Sequence, residues 1–122
     1  MYLGFNSGDC YEDIPSRLLP VEKHIQANSR ENCIAKCAED GFKYAGTQYS
    51  FQCWCGNDTP SKTLIRSQEE CKIKCSGDQS QYCGGDWRIN IYEIKGKFER
   101  VICSVLLKGL KSVSTANLMV VT

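Results

Sequence analysis

Eight cysteines fall between Cys10 and Cys83, in a chain of 122 residues that carries nine in all. A chain this short can bury only a modest core, and a cysteine density of this kind is how small secreted domains make up the deficit, by cross-linking. Zinc would be the other use of so many sulfurs. Structural zinc sites favour two-residue knuckles with histidine support, whereas the spacings here are C-x3-C, C-x-C and C-x3-C, and the single histidine, His24, has no cysteine nearby. The pattern therefore predicts disulfides, with no metal and no cofactor.

Two segments around the cysteines have helical character. In NSRENCIAKCAEDG, Asn28 or Ser29 can cap a helix, Glu31 sits at its positive end and Gly41 can close it, so Cys33 and Cys37 share one face. In SQEECKIKC, Ser67 and Glu70 have the spacing of a capping box, which predicts a second short helix with Cys71 and Cys75 one turn apart. Between them KYAGTQYSFQCWCG is rich in strand-favouring residues and predicts a hairpin turning near Ser50 to Gln52. Alternation over 87–94 predicts a last strand, and the run before Pro20 an extended opening segment. The expected fold class is α+β: a small disulfide-rich domain with two short helices packed on a small antiparallel sheet.

Within FQCWCG, Cys53 and Cys55 point to one face of a strand and Trp54 to the other. Helical residues four apart are separated by about 6 Å and strand residues two apart by nearly 7 Å, so Cys33/Cys37 and Cys53/Cys55 form matched pairs of rungs. Of the remaining four, Cys75 and Cys83 can close the loop SGDQSQY locally, leaving Cys10 for Cys71. Spacing leaves this one choice among the many connectivities open to eight cysteines.

Fifteen basic side chains against fourteen acidic ones give no basic face for a nucleic acid. Lys108 and Lys111 interrupt the apolar C-terminal stretch, so no run reaches the roughly 18 residues of a membrane span. MYLGFNSGD has no basic and apolar leader pattern, so the chain is expected to be a piece of a larger secreted or membrane-anchored protein. Residues 1–95 are expected to form the domain and 96–122 a weakly ordered tail or gene-model segment, with Cys103 as the odd cysteine.

CYED with RLLP, the two C-x3-C pairs, YAGTQYSFQCWCG and CGGDWRINIY together resemble the WSC domain, from about Tyr2 or Cys10 to Tyr92, with all eight cysteines in order. YLGF departs from the family's YLGC opening, so Cys10 takes the place of that cysteine and Asp9 stands where a glycine is usual. WSC domains occur in fungal cell-wall stress sensors, Kremen, polycystin-1, animal xylosyltransferases and fungal carbohydrate-active enzymes. The resemblance implies an extracellular, non-catalytic carbohydrate-binding accessory module. It also implies the pairs Cys10 with Cys71, Cys33 with Cys53, Cys37 with Cys55 and Cys75 with Cys83.

Nothing in the residues supports an enzyme. His24 lies in a polar stretch and is read as solvated, and Asp9, Glu12 and Asp13 are read as a solvated acidic face because nothing sets two carboxyls across a cleft. Gly84 and Gly85 are read as a tight turn. Asn57-Asp58-Thr59 is a glycosylation sequon, with Pro60 lowering its expected occupancy. Sugar rings stack their apolar faces on aromatic side chains while their hydroxyls find polar neighbours. The candidate carbohydrate contacts are accordingly Trp54, Tyr49, Phe51 and Tyr82, with Gln52 and Asn57 beside them and Gln48 nearby, while Trp87 and Tyr44 are assigned to packing. The sugar is not specified by the residues; β-glucans and xylans are what the family suggests. The same aromatics would equally serve a protein-interaction module of a cell-surface receptor.

Overall fold

A computed structural model describes residues 8–95; residues 1–7 and 96–122, the expected tail and Cys103 among them, lie outside the described residues. The elements run β1 (Asp9–Glu12), β2 (Val21–Lys23), α1 (Arg30–Glu39), β3 (Tyr44–Gln48), β4 (Gln52–Gly56), β5 (Ile65–Arg66), β6 (Lys74–Cys75), β7 (Asp78–Tyr82) and β8 (Arg88–Glu93). Six strands form one antiparallel sheet in the order β2-β4-β3-β8-β1-β5, and β6 and β7 form a separate antiparallel pair.

Helix α1 begins where a hydroxyl is available to cap it: Ser29 Oγ accepts from the backbone N–H of Asn32 at 3.1 Å. It stops where Gly41 takes a left-handed φ of +82°. Its buried stripe of Cys33, Ile34, Cys37 and Ala38 packs with Ala45, Cys53, Cys55, Tyr92 and Ile94 on one face of the sheet. The opposite face carries Tyr11, Trp54, Ile89 and Ile91, and Leu19 from the β1–β2 connection covers it. Period-two alternation along β4 and β8 thus supplies two small cores, one on each side of the sheet. The second is so thin that a Cβ on Gly46 would come within 2.5 Å of Ile89 Cδ1 and 2.9 Å of Leu19 Cδ1.

Four disulfides join Cys10 to Cys71, Cys33 to Cys53, Cys37 to Cys55 and Cys75 to Cys83. Two of them run from successive turns of α1 to alternate residues of β4, so helix and strand are held at two points and cannot rotate against each other. Cys10–Cys71 ties β1 to the segment before β6, and Cys75–Cys83 closes the β6–β7 hairpin.

The second expected helix does not form. Ser67 caps a single 3-10 turn, Gln68–Glu70, by accepting from the Glu69 N–H at 3.2 Å. Cys71 then leaves helical geometry because its sulfur is held on β1. The backbone of Ile73 is also taken by the segment that follows β7: its N–H donates to Gly84 O at 3.0 Å and its carbonyl accepts from the Cys83 N–H at 2.6 Å. A helix would need both groups for its own turns. Glu70, which a capping box would turn back toward Ser67, accepts instead from Arg88 Nε at 2.5 Å. The fold is therefore mostly antiparallel sheet with one helix.

Two outcomes follow from this arrangement. Replacing bridges one pair at a time by alanine should reduce the unfolding free energy by about 4 kcal/mol for Cys10–Cys71, about 3 for Cys33–Cys53 and about 2.5 for Cys75–Cys83, following loop length, as read by denaturant titration of the oxidised protein. Burial pushes the Tyr92 phenol up to about 12. Because the folded state holds that proton to higher pH than the unfolded chain, this contribution is intact below about pH 10 and is lost as pH rises from there through about 12, some 2–3 kcal/mol in all. Tyr92→Phe should remove that part of the alkaline loss in rapid unfolding measurements.

Candidate functional site

The site grows from three turns. In the first, Asp13-Ile14-Pro15-Ser16-Arg17, proline occupies the position whose φ it pre-sets, and the Arg17 N–H closes the turn on Ile14 O at 2.7 Å. Asp13 holds it from inside: Oδ1 accepts the N–H groups of Ile14 and Leu18 at 2.9 and 3.0 Å, and Oδ2 accepts from Arg17 Nη1 at 2.9 Å. Asp13 is thus a buried clamp at 4% exposure, which corrects its assignment to a solvated acidic face. Glu12 is ion-paired with Arg66 at 2.6 Å, and Asp9 is exposed.

In the second turn, Gly85 and Arg88 exchange backbone hydrogen bonds of 2.8 and 3.3 Å around Asp86 and Trp87. Gly84, at φ +70°, leads into it; a Cβ there would sit 2.5 Å from Arg88 O. Trp87 itself has φ +56°, at a position that ordinarily goes to glycine or asparagine, and the residue is 43% exposed. This corrects its assignment to core packing.

The third turn is the β3–β4 hairpin, where Tyr49 and Ser50 have φ of 51° and 74°. It is pinned from behind: the Ser50 N–H donates to Cys83 O at 3.0 Å, and the side-chain amide of buried Asn28 donates to Ser50 O and Gln52 O at 3.1 and 3.0 Å. Tyr49 therefore projects outward, with Phe51 edge-on at a centroid distance of 5.8 Å.

The three turns meet at one depression of about 190 Å³ lined by Arg17, Gln48, Tyr49, Gln52, Asp86 and Trp87. The Arg17 guanidinium carbon lies 4.6 Å from the Trp87 ring centroid and 4.7 Å from that of Trp54. Among the described residues four non-glycines have positive φ, and Arg17, at 68°, Tyr49 and Trp87 are three of them. Strained backbone of this kind costs about 1–3 kcal/mol per residue and persists only where surrounding structure enforces it, which is characteristic of functional surfaces. The Gln48 side chain is buried, and its carbonyl oxygen has no hydrogen-bond partner.

The sequence candidates separate in space. Tyr49 and Gln52 line this depression. Trp54 does not: at 8% exposure it lies in the second core with its indole N–H donating to Gln52 Oε1 at 3.2 Å, which corrects the expectation that it is displayed. Phe51 faces another hollow bordered by residues 22–26. Tyr82, under Lys72 Nζ at 4.6 Å, borders a third, more polar one. Asn57 lies past the far end of β4 from the hairpin turn, accepting through Oδ1 from the Lys43 N–H at 2.9 Å. His24 is exposed. The sulfurs of Cys33, Cys37 and Cys53 lie within 4.8 Å of one another, but each belongs to a bridge and offers no thiolate to a metal. Sequence reasoning missed Arg17, Asp13, Asp86 and the exposure of Trp87. The Asp-x-Pro-Ser turn signature before Arg17 was the signal that could have pointed to the first two.

Four bridges, one helix stapled to an antiparallel sheet and an exposed aromatic surface built on turns define a small cysteine-rich module. The chain belongs to the WSC domain family, whose pattern matches residues 8–85. It is 36% identical over 87 residues to xylosyltransferase oxt of Drosophila melanogaster, a match covering 69% of this chain and 10% of that protein. Kremen protein 1 of Homo sapiens is 34% identical over 87 residues, covering 69% of this chain and 18% of Kremen. A WSC domain-containing protein of Arthroderma benhamiae is 33% identical over 91 residues, covering 73% of this chain and 12% of the relative. The chain thus corresponds to less than a fifth of the length of each. Among the described residues, no helix is long and apolar enough to cross a membrane.

The two tryptophans should respond oppositely to truncation. Trp54→Ala should destabilise the oxidised domain by about 3–5 kcal/mol through the lost core volume. Trp87→Ala should change it by less than about 1 kcal/mol, since it removes one exposed cation–π contact and relieves little else. Chemical denaturation of the two variants checks both.

Proposed function

We propose that this chain is a non-catalytic, extracellular glycan-binding module, and that it binds at the Trp87 depression. The observation that carries the reading is the concentration of left-handed, non-glycine backbone at Arg17, Tyr49 and Trp87 around that one hollow. The folded chain spends stability to present two aromatic rings beside an arginine, two amides and a carboxylate. That combination suits a saccharide: flat rings meet the C–H faces, and polar groups meet the hydroxyls. Phe51 packs edge-on against Tyr49 and faces the neighbouring hollow; Trp54 supports the depression from beneath through Arg17 and Gln52; Tyr82 and Asn57 stand outside it. A glycan on Asn57 would sit beyond the opposite end of β4 and leave the depression clear.

The disulfide framework supports an oxidising compartment. The similarity to a fungal WSC domain-containing protein and to Kremen supports an accessory role in a larger protein. An open platform of two or three rings excludes little water, so affinity near the millimolar level, about 4 kcal/mol, is expected, with tighter attachment arising when several modules act together.

The test is retention of the oxidised chain on a panel of insoluble polysaccharides including β-glucans and xylan, in parallel with a glycan array. Trp87→Ala and Tyr49→Ala should each reduce retention at least about tenfold, the effect of losing some 1.4 kcal/mol of stacking. Ile65→Ala, on the exposed edge strand β5, should leave it unchanged. Retention that survives both aromatic substitutions would place binding elsewhere, and absence of any glycan ligand would favour a protein partner for the same surface.

A further inference from the structure

Resting on that glycan reading, we propose that the Trp87 depression selects uncharged saccharides over carboxylated or sulfated ones, and that Asp86 is the residue that sets this selectivity. An arginine in a binding hollow ordinarily suggests an anionic ligand. Here the charge of Arg17 is already matched. Its Nη1 lies 2.9 Å from Asp13 Oδ2, and the Asp13 side chain is 2% exposed. Because Asp13 also accepts two backbone N–H groups through Oδ1, it is locked in place and cannot swing away to free the guanidinium. Arg17 is confined further by the two indoles its guanidinium faces. It is a fixed hydrogen-bond donor whose positive field is largely cancelled from behind.

Asp86 changes the sign of what remains. It is exposed, lies on the two-residue turn with Trp87 and lines the same depression as Arg17. One cation therefore stands with two carboxylates, one of them facing the hollow. Gln52 adds a donor of defined orientation. An indole N–H can only donate, so the contact from Trp54 Nε1 at 3.2 Å assigns the amide oxygen of Gln52 to the tryptophan and leaves its NH2 for a ligand. The hollow thus offers donors from Arg17 and Gln52 and an acceptor from Asp86. A sugar hydroxyl both donates and accepts, and can satisfy the two kinds together. A carboxylate or sulfate only accepts, and it would bring a second negative charge against Asp86.

The experiment compares retention of the oxidised full chain on β-1,3-glucan and on xylan with retention on the carboxymethyl derivative of each, at low ionic strength where screening is weakest. The unsubstituted polymer should be retained about fivefold better than its carboxymethyl form, the factor a like-charge contact of a few ångströms carries in water. Asp86→Asn should bring that ratio close to one, with circular dichroism verifying the fold. Stronger retention on the carboxymethyl polymer, or a ratio that Asp86→Asn leaves unchanged, overturns the inference while the glycan reading stands. Retention on none of the four polymers overturns the inference for these glycans, and absence of any ligand on the glycan array as well overturns the glycan reading with it.

Discussion

The pair of bridges from α1 to β4 is the constraint from which the rest of the structure follows. One bridge would leave the helix free to pivot over the sheet; two, on matched rungs, fix its distance, direction and rotation. With α1 set on one face of β4, Cys53 and Cys55 must lie on that face, and the pleat sends Trp54 to the other. The buried stripe of α1 is short, and the apolar residues it meets are few, so van der Waals contact alone would hold the helix weakly. The covalent links supply the orientation that a larger core would otherwise provide.

Trp54 then organises the opposite side. Its ring joins Leu19, Ile89 and Ile91 in the second core, while its indole edge and face reach Gln52 and Arg17. Arg17 passes this contact on to Trp87, and Asp13 holds Arg17 in place. The exposed aromatic surface is consequently anchored to the interior by a continuous set of packed and hydrogen-bonded groups. The hairpin carrying Tyr49 is anchored separately, through Asn28 and Cys83, to the helix start and to the β6–β7 hairpin. Rigid turns with aromatic tips, backed by disulfides, present a preformed surface that loses little conformational freedom when something binds to it.

Local patterns were reliable wherever a local interaction decided the outcome. Ser29 caps α1, Gly41 ends it, β3 and β4 form the expected hairpin with its turn at 49–51, one residue before the expected Ser50 to Gln52, and 88–93 forms a strand, because a cap, a left-handed glycine, a turn and a period of two each act over a few residues. The segment after Ser67 shows where this stops. Its capping pattern produced one 3-10 turn, and beyond it the bond from Cys71 to β1 and the backbone pairing of Ile73 prevailed over helix propensity. Those partners are distant in sequence, so no window around Ser67 contains them.

The sequence by itself determined the cross-linked class of the domain, the order of its eight framework cysteines, the helix that carries Cys33 and Cys37, and the face on which each residue of FQCWCG stands. Only the tertiary structure decided which tryptophan is buried. Alternation assigns Trp54 to the side of the sheet away from the sulfurs, but whether that side meets water depends on the connection carrying Leu18 and Leu19, which folds across it. Trp87 reads as the start of a strand, yet the exchange of hydrogen bonds between Gly85 and Arg88 places it on a turn with its ring outward. Asp13 reads as one of several surface acids until the turn it clamps folds over it. In each case exposure is a property of what covers a residue, and the covering segments are fixed by contacts across the whole chain.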